Sequence, residues 1–150
     1  MTHLNPGDKA PHFNGLNQNG SPISLISFAG KKVILYFYPK DSTPGCTAQA
    51  CDLRDNYQML LSKGYVVIGI SGDSQESHQK FINKFDLPFP LIADTKKEII
   101  KAYGVWGPKK FMGKTFDGIH RTTFVIDERG VIEEVIDKVK TKEHTNQIVK

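Results

Sequence analysis

Two cysteines, Cys46 and Cys51, are the residues of this sequence best suited to redox chemistry, and the chain has no other cysteine. They follow a Thr-Pro-Gly turn that predicts the start of a helix. A thiol attacks only as its thiolate, and because a free cysteine has a pKa of about 8.5, a reactive site must favour the anion. With Thr43 as the N-cap and Pro44 as the first helical residue, Cys46 lies in the first turn, where unpaired N–H groups and the positive helix end favour a negative sulfur. We also expect the Thr43 hydroxyl to cap the helix.

The spacing of the two cysteines sets a condition on their chemistry. In a regular helix, residues five apart differ by about 7.5 Å along the axis and about 140° around it, which puts their Cα atoms roughly 8.7 Å apart. A disulfide requires Cα atoms within about 7 Å of each other. Either the bridge never forms, therefore, or its formation unwinds the first helical turns. The Pro-Gly entry and the weak helix formers Thr47 and Cys51 lower the cost of unwinding.

Each candidate residue also has a plainer interpretation. Cys46 could be an inert buried thiol, and Cys51 could be an ordinary small core residue. Arg121 precedes an apolar strand and could be a surface arginine. The five histidines are scattered, and a Cys-x4-Cys pair with one of them would make a poor zinc site by its spacing, so we expect no bound metal.

The composition is that of one globular domain over residues 1–150, with 39% hydrophobic and 24% charged side chains. The longest apolar run, "VILYFY", is too short to span a bilayer. The N-terminus lacks the basic start and apolar stretch of a secretory signal, so we expect a cytoplasmic protein, although a mature chain whose signal had been removed would look the same. The net charge of +4 comes with scattered lysine pairs, which argues against nucleic-acid binding. We expect a monomer, because no exposed apolar stripe demands a partner.

The pattern of apolar residues predicts strands that alternate with helices. "HFNGL" and "PISLI" flank an Asn-Gly step and predict an N-terminal hairpin, while "KKVILYFY" and "YVVIGIS" predict strands buried on both faces. "LPFPLIAD" predicts a short extended segment, and "RTTFVIDERGVIEEVID" predicts a closing hairpin. This order predicts an α/β fold whose central mixed sheet carries helices on both faces.

Four helices are expected between and after these strands. We predict one from Thr43 to about Lys63, one in "DSQESHQKFINKF" capped by Asp73 or Ser74, one in "TKKEIIKAYG" capped by Thr95 and stopped by Gly104, and a last one capped by Thr141. Trp106, Phe111 and Met112 are interpreted as packing residues in a loop, with the alternative that they form the apolar rim of an active site.

One segment resembles a known motif. "YFYPKDSTPGCT" is similar to the active-site motif of the peroxiredoxins, Pro-x-x-x-Thr-x-x-Cys, here Pro39, Thr43 and Cys46. The second cysteine and "GVWGPKKFMGKTFDGIHRTTFVID" are similar to the bacterioferritin comigratory protein, or peroxiredoxin Q, subfamily. The resemblance extends from "PGDKAPHF" to "DKVKTKEH" and implies a thioredoxin-like fold with an N-terminal β-hairpin extension.

The resemblance also implies a role for each site residue. Cys46 would be the peroxidatic cysteine that attacks the O–O bond, and Cys51 the resolving cysteine that forms a disulfide with it. Thr43 would hydrogen-bond the peroxide and the sulfur, Arg121 would stabilise the thiolate and orient the peroxide, and Pro39 would shape and shield the pocket. The implied function is a thiol peroxidase that reduces hydrogen peroxide and organic hydroperoxides without metal, haem or flavin. Its reductant would be thioredoxin or a glutaredoxin-type dithiol.

Gln49 departs from the pattern of many relatives, which carry a glutamate there, and leaves open any role for a carboxylate at this position. Two other functions fit parts of the sequence. A dithiol–disulfide oxidoreductase of the same fold would act on proteins, but such enzymes usually carry Cys-x-x-Cys, whereas four residues separate the cysteines here. A non-enzymatic binding protein could use the same scaffold. Peroxide consumption with dithiothreitol as the reductant discriminates among the three.

Overall fold

The computed structural model describes residues 2–150. Within residues 2–150, nine strands and five helices follow one another. The strands are β1 (Asn14–Leu16), β2 (Pro22–Ser24), β3 (Lys32–Phe37), β4 (Tyr65–Ser71), β5 (Leu91–Ala93), β6 (Trp106–Phe111), β7 (Lys114–Ile119), β8 (Thr122–Ile126) and β9 (Ile132–Ile136). The helices are α1 (Pro44–Asp55), α2 (Tyr57–Ser62), α3 (Gln75–Phe85), α4 (Glu98–Ala102) and α5 (His144–Ile148), with short 3-10 turns at Leu25–Phe28 and Thr141–Glu143.

Five strands form the central sheet in the order β5-β4-β3-β8-β9. β3, β4 and β5 run parallel, whereas β8 is antiparallel to β3 and β9 is antiparallel to β8. β3 and β4 occupy the interior because their side chains are apolar on both faces, and most of them are fully buried. The predicted mixed sheet and its closing hairpin are therefore confirmed.

Alternate residues of β3 point into two separate core layers. Val33, Leu35 and Phe37 pack with α4 and the N-terminal segment on one face of the sheet. Ile34 and Tyr36, with Tyr38 just after the strand, pack with residues of α1, α3 and α5 on the other face. The second layer lies beneath both cysteine-bearing turns of α1, so the helix is supported directly by the sheet.

The predicted helix from Thr43 to about Lys63 is broken at Asn56, which separates α1 from α2. Asn56 has φ −107° and ψ 9°, and its side-chain amide donates to the Asp52 carbonyl at 2.8 Å. Asparagine competes in this way with the backbone ladder of a helix, which explains the break.

Three of the predicted side-chain caps are wrong, those of Thr43, Thr95 and Thr141, and one of the two alternatives for α3 is confirmed. Ser74 caps α3, since its hydroxyl accepts from the Ser77 N–H at 3.1 Å. Thr95 does not cap α4, which starts later; Asp94 instead accepts from the Ile100 N–H at 2.8 Å. Gly104 follows α4 with φ +69°, as expected of a helix stop.

Thr141 opens a 3-10 turn and makes no side-chain cap. A side chain outside α5 accepts a backbone N–H of its first turn, because Thr145 N–H donates to Asp52 Oδ2 at 2.7 Å. A carboxylate from α1 thus replaces the predicted local cap, and it ties the end of the chain to α1.

The β6–β7 hairpin was not predicted, since its residues were assigned to a loop. Its turn places Met112 at φ +52° and Gly113 at φ +79°, the left-handed geometry that two-residue hairpins favour. Asn or Asp usually precedes Gly in such turns, so a Met-Gly pair gives almost no signal. Phe111 and Met112 stand at this turn, 65% and 86% exposed, and are not packing residues as expected.

The N-terminal hairpin is confirmed as β1 paired with β2, although each strand has three residues. Within residues 2–150, no helix has the length and apolar character needed to cross a membrane.

Candidate active site

Cys46 is the third residue of α1 and is 1% exposed. Its helix starts where predicted, with Pro44 at the first position and Thr43 extended at φ −81° and ψ 155°. The loop that leads to it leaves the end of β3 through Pro39. The sulfur therefore sits in the first helical turn, at the positive end of the helix dipole.

The Thr43 hydroxyl does not cap α1, contrary to the expectation. It turns back and donates to the Lys40 carbonyl at 2.9 Å. Because its proton is committed to that carbonyl, the lone pairs of the hydroxyl oxygen remain available to accept a hydrogen bond.

Arg121, in the short link between β7 and β8, reaches the first turn of α1. Its Nη2 donates to Cys46 Sγ at 3.3 Å, and its Nη1 donates to Gln49 Oε1 at 2.7 Å. Gly45 permits this approach, because a Cβ there would lie 3.1 Å from Arg121 Nη2. The guanidinium is thus held by two groups of α1, and Cys46 and Arg121 come together although 75 residues separate them.

Gln49 and Tyr36 leave polar atoms without partners beneath α1. Gln49 is fully buried, and within residues 2–150 its Nε2 and the Tyr36 hydroxyl are the buried side-chain polar atoms that lack a hydrogen bond. Burial, and then the nearby charge of Cys46, raises the pKa of Tyr36 well above its ordinary value. Gln49 supplies no negative charge to the guanidinium it holds, so the charge of Arg121 is left available to the sulfur.

Lys109 is a second cation near the site that the sequence interpretation missed. It lies on β6, and its Nζ donates to the Ile119 carbonyl at 2.9 Å. Burial first, and the charge of Arg121 second, lower the pKa of Lys109, while the Cys46 sulfur opposes this shift. Lys109 thus adds positive charge near the thiol from the β6–β7 hairpin, which was not predicted. Its position in the sequence relative to the cysteines did not indicate that it would lie near them.

Cys51 lies on the same helix, half-buried, and both cysteines are free thiols. Since α1 is continuous from Pro44 to Asp55, the regular-helix separation of roughly 8.7 Å between the two Cα atoms applies. A disulfide is out of reach in this conformation.

Pro39 lies at the edge of an open pocket of about 310 Å³ beside the loop between β3 and α1. Trp106, Lys109 and Phe116 line its other side, and the Lys97 ammonium sits 5.2 Å from the centre of the Trp106 ring. Trp106 therefore belongs to a partly apolar wall near Pro39, whereas Phe111 and Met112 are not among the residues that line this pocket.

Within residues 2–150, one group of carboxylates and imidazole is close enough to suggest a metal site: Asp41, Asp73 and His78. Hydrogen bonds within the protein already use these ligand atoms, with His78 Nδ1 at 2.7 Å from Asp41 Oδ2. The group includes neither cysteine, and the expectation that no metal binds stays a prediction.

Comparison with known proteins finds similar sequences that cover nearly the whole chain. The sequence profile of the AhpC/TSA family matches residues 6–135. A protein of Haemophilus influenzae named putative peroxiredoxin bcp is 50% identical over 149 residues, which are 99% of this chain and 96% of that protein. Peroxiredoxin Bcp of Escherichia coli is 47% identical over 149 residues, with the same 99% and 96% coverage.

Solved structures agree in fold. PrxQ of Xylella fastidiosa, solved as a cysteine-to-serine mutant, matches with a TM-score of 0.92 at 29% identity, covering 99% of this chain and 94% of that chain. The bacterioferritin comigratory protein of Xanthomonas campestris, solved in work on its alkyl peroxide reduction activity, matches with a TM-score of 0.86 at 30% identity, covering 99% and 94%. The thioredoxin-like fold with an N-terminal hairpin is thereby confirmed.

Proposed function

The chain belongs to the AhpC/TSA family and is a thiol-dependent peroxidase of the peroxiredoxin group, and from that premise we propose a two-cysteine catalytic cycle. In this cycle Cys46 reduces hydrogen peroxide or an organic hydroperoxide. Cys51 then closes a disulfide with Cys46, and thioredoxin or a glutaredoxin-type dithiol reopens it. The role in the cell is antioxidant defence.

The first step is attack by the Cys46 thiolate on the terminal peroxide oxygen. The S–O bond forms as the O–O bond breaks, the sulfur is oxidised to sulfenic acid, and the other oxygen leaves as alkoxide or hydroxide that takes up a proton. Arg121 supplies N–H donors and positive charge where the thiolate and the leaving oxygen carry negative charge. The free lone pairs of the Thr43 hydroxyl accept the peroxide O–H.

The second step joins the two sulfurs. The Cys51 thiolate attacks the Cys46 sulfenic sulfur, the S–S bond forms, and hydroxide leaves as water after protonation. An external dithiol then attacks this disulfide through a mixed disulfide, and its own two thiols end as a disulfide while both cysteines return to thiols. Because α1 keeps the cysteines too far apart, its first turns must open before the second step.

The observation that carries this proposal is the 3.3 Å hydrogen bond from Arg121 Nη2 to Cys46 Sγ at the start of α1. A guanidinium directed at a buried sulfur in the first turn of a helix favours a thiolate nucleophile over an inert thiol. The second thiol on the same helix supports an intramolecular partner for resolution.

We further propose that the protein acts in the cytoplasm as a monomer. A reducing compartment suits a pair that must return to free thiols. The β6–β7 hairpin exposes an apolar surface, since Phe111, Met112 and Phe116 are 65%, 86% and 49% exposed. This surface departs from the premise that no exposed apolar stripe demands a partner. Light scattering at micromolar concentration tests the monomer: the mass of one chain is expected, and the mass of two would contradict it.

Replacing Cys46 by Ser tests the nucleophile. An alcohol does not ionise near neutral pH, so we expect Cys46→Ser to lose peroxide consumption with dithiothreitol while it keeps the far-UV spectrum and melting temperature of the parent protein. If more than a trace of turnover survives in the folded variant, Cys46 is not the residue that attacks the peroxide.

A further inference from the structure

A buried carboxylate anchors the loop that carries Thr43. Asp41 lies between β3 and α1, two residues before Thr43, and is 6% exposed. Its Oδ1 accepts from the Tyr38 hydroxyl at 2.6 Å, and its Oδ2 accepts from the Ser77 hydroxyl at 2.8 Å and lies 2.7 Å from His78 Nδ1. Three side chains thus converge on one carboxylate, none of them used in the cycle proposed above.

The backbone of the same residue is also held. The Asp41 N–H donates to Asp73 Oδ2 at 2.8 Å, and that oxygen accepts a second bond from the Ser71 hydroxyl at 2.7 Å. Asp41 is therefore fixed by main chain and side chain to the end of β4 and to α3.

His78 connects this anchor to the sheet. It is fully buried, and its Nε2 lies 2.9 Å from the Ile92 carbonyl in β5. A carbonyl oxygen only accepts, so Nε2 must carry a proton. On its other side the ring meets Asp41, because Nδ1 lies 2.7 Å from Asp41 Oδ2. The His78 side chain therefore bridges β5 and the loop between β3 and α1.

The anchored loop sets the direction of the Thr43 hydroxyl. Ser42 has φ +63°, a left-handed conformation that a non-glycine residue keeps only when its surroundings hold it. Lys40, on the other side of Asp41, provides the carbonyl that accepts the Thr43 hydroxyl proton. A displacement of Asp41 would therefore move that carbonyl and turn the lone pairs of Thr43 away from the peroxide.

We infer that His78 and Asp41 are positioning residues for peroxide reduction, which act through the loop on Thr43 and not on the sulfur. The inference rests on the proposed function. It implies that two rate constants respond differently, because the Thr43 hydroxyl binds the peroxide whereas Arg121 and the N-terminus of α1 stabilise the thiolate. Attack on peroxide should depend on the pair, and attack of the same sulfur on a simple alkylating agent should not.

The test compares Asp41→Ala and His78→Ala with Asp41→Asn, whose amide can still donate to Nδ1 of a neutral imidazole. Stopped-flow mixing gives the rate constant for the first reaction with hydrogen peroxide, and iodoacetamide at the same pH gives the alkylation rate. We expect the alanine variants to lose about tenfold in the peroxide rate constant and less than about twofold in alkylation, and Asp41→Asn to stay within about threefold of the parent in both. Glu76→Gln, an exposed change on α3, serves as the matched control and should leave both rates unchanged.

The outcomes separate the possibilities. Unchanged peroxide rates in the alanine variants overturn the inference, and so do equal losses in both rates, which would report general damage to the site. If an alanine variant does not fold, Asp41→Ser, whose side chain is too short to reach His78, carries the same expectation. A parent protein that does not react with peroxide at all would overturn the proposed function as well as this inference.

Discussion

At the scale of single residues, the site depends on how one guanidinium is shared. Arg121 donates to a sulfur through one nitrogen and to a neutral amide through the other. A carboxylate in place of Gln49 would keep the hydrogen bond, but it would neutralise the cation and place a negative charge near the thiolate. The neutral side chain therefore leaves the full charge of Arg121 to act on Cys46.

Arg121→Ala and Gln49→Glu should both make the thiolate harder to form. Because an opposite charge favours an anion and a like charge disfavours it, we expect the pH midpoint of thiol alkylation to move upward by about one pH unit in each variant. Iodoacetamide rates measured across pH give this midpoint. Gln58→Glu adds the same charge on the exposed side of α2 and should leave the midpoint where it is. A midpoint that does not move in Arg121→Ala would remove the electrostatic role of this residue.

The sequence motif predicted the placement of Thr43 and Cys46 because their spacing is local to one loop and one helix turn. It could not predict what the Thr43 hydroxyl bonds to, since one rotamer lets its oxygen accept a helix N–H and another lets its proton reach the Lys40 carbonyl. Lys109 and His78 were missed because their contacts come from distant elements. His78 nevertheless had a signal, as it stands three residues before Phe81 and shares the buried face of α3.

At the scale of elements, α1 is held firmly at one point beyond the cysteines. Asp52 Oδ2 accepts from both the backbone N–H and the hydroxyl of Thr145, each at 2.7 Å. Asp52 follows Cys51 directly, so this clamp to α5 marks where opening of the helix should stop. On the other side of the cysteines, the Asp41 anchor lies just before the helix.

Oxidation should therefore unwind the start of α1 and leave its end intact. The closed loop is short, so the disulfide adds little entropic stabilisation to offset the lost backbone bonds. We expect a less negative far-UV signal and faster amide exchange over residues 45–51 in the oxidised protein, with residues 53–55 unchanged and full recovery on reduction. Cys51→Ser treated with the same peroxide is the matched control, because it cannot close the bridge.

Equal exchange over residues 45–51 in the two redox states, with the disulfide present by mass spectrometry, would contradict this opening.

Two features of the elements could not be predicted from the sequence. The sequence predicted a helix through Asn56, but a side-chain bond to Asp52 ends α1 there. It predicted a loop where β6 and β7 pair, because Met112 is an unusual residue for a left-handed turn.

At the scale of the whole molecule, the chain end is tied into the sheet through a buried histidine. His144 Nδ1 lies 2.8 Å from Gln147 Oε1, and its Nε2 lies 2.8 Å from the Thr123 hydroxyl in β8. The Gln147 oxygen only accepts, so Nδ1 carries the proton and Nε2 accepts from Thr123. The neutral ring fits both partners, and burial lowers the pKa of His144.

Stability should consequently fall on mild acidification. In the unfolded chain the pKa of His144 is about 6.5, whereas in the folded protein it is lower. Below about pH 6.5 the unfolded state therefore binds more protons than the folded state. The contribution is fully present above about pH 6.5 and is lost as the pH falls toward the lower folded pKa, at up to about 1.4 kcal/mol per pH unit. Urea unfolding across pH should give a shallower acid loss in His144→Asn than in the parent. His12→Asn, at an exposed histidine, should follow the parent, and parallel curves for all three proteins would contradict the role of His144.

The mixed character of the central sheet was predictable at this scale, because its buried strands show as apolar runs that alternate with helices before a closing hairpin. The link between α5 and α1 was not predictable. It is made by Asp52 and Thr145, which are 93 residues apart and unremarkable in sequence.

The central claim is that Cys46 takes oxygen from peroxide and Cys51 resolves it, and mass spectrometry after one equivalent of hydrogen peroxide tests this most directly. The parent should lose two hydrogens and yield a peptide pair joined through Cys46 and Cys51. Cys51→Ser should instead gain one oxygen on Cys46, react with a sulfenic-acid probe, and lose turnover with thioredoxin. A parent that gains oxygen without closing the bridge, or a Cys51→Ser variant that turns over with thioredoxin as fast as the parent, would contradict the account.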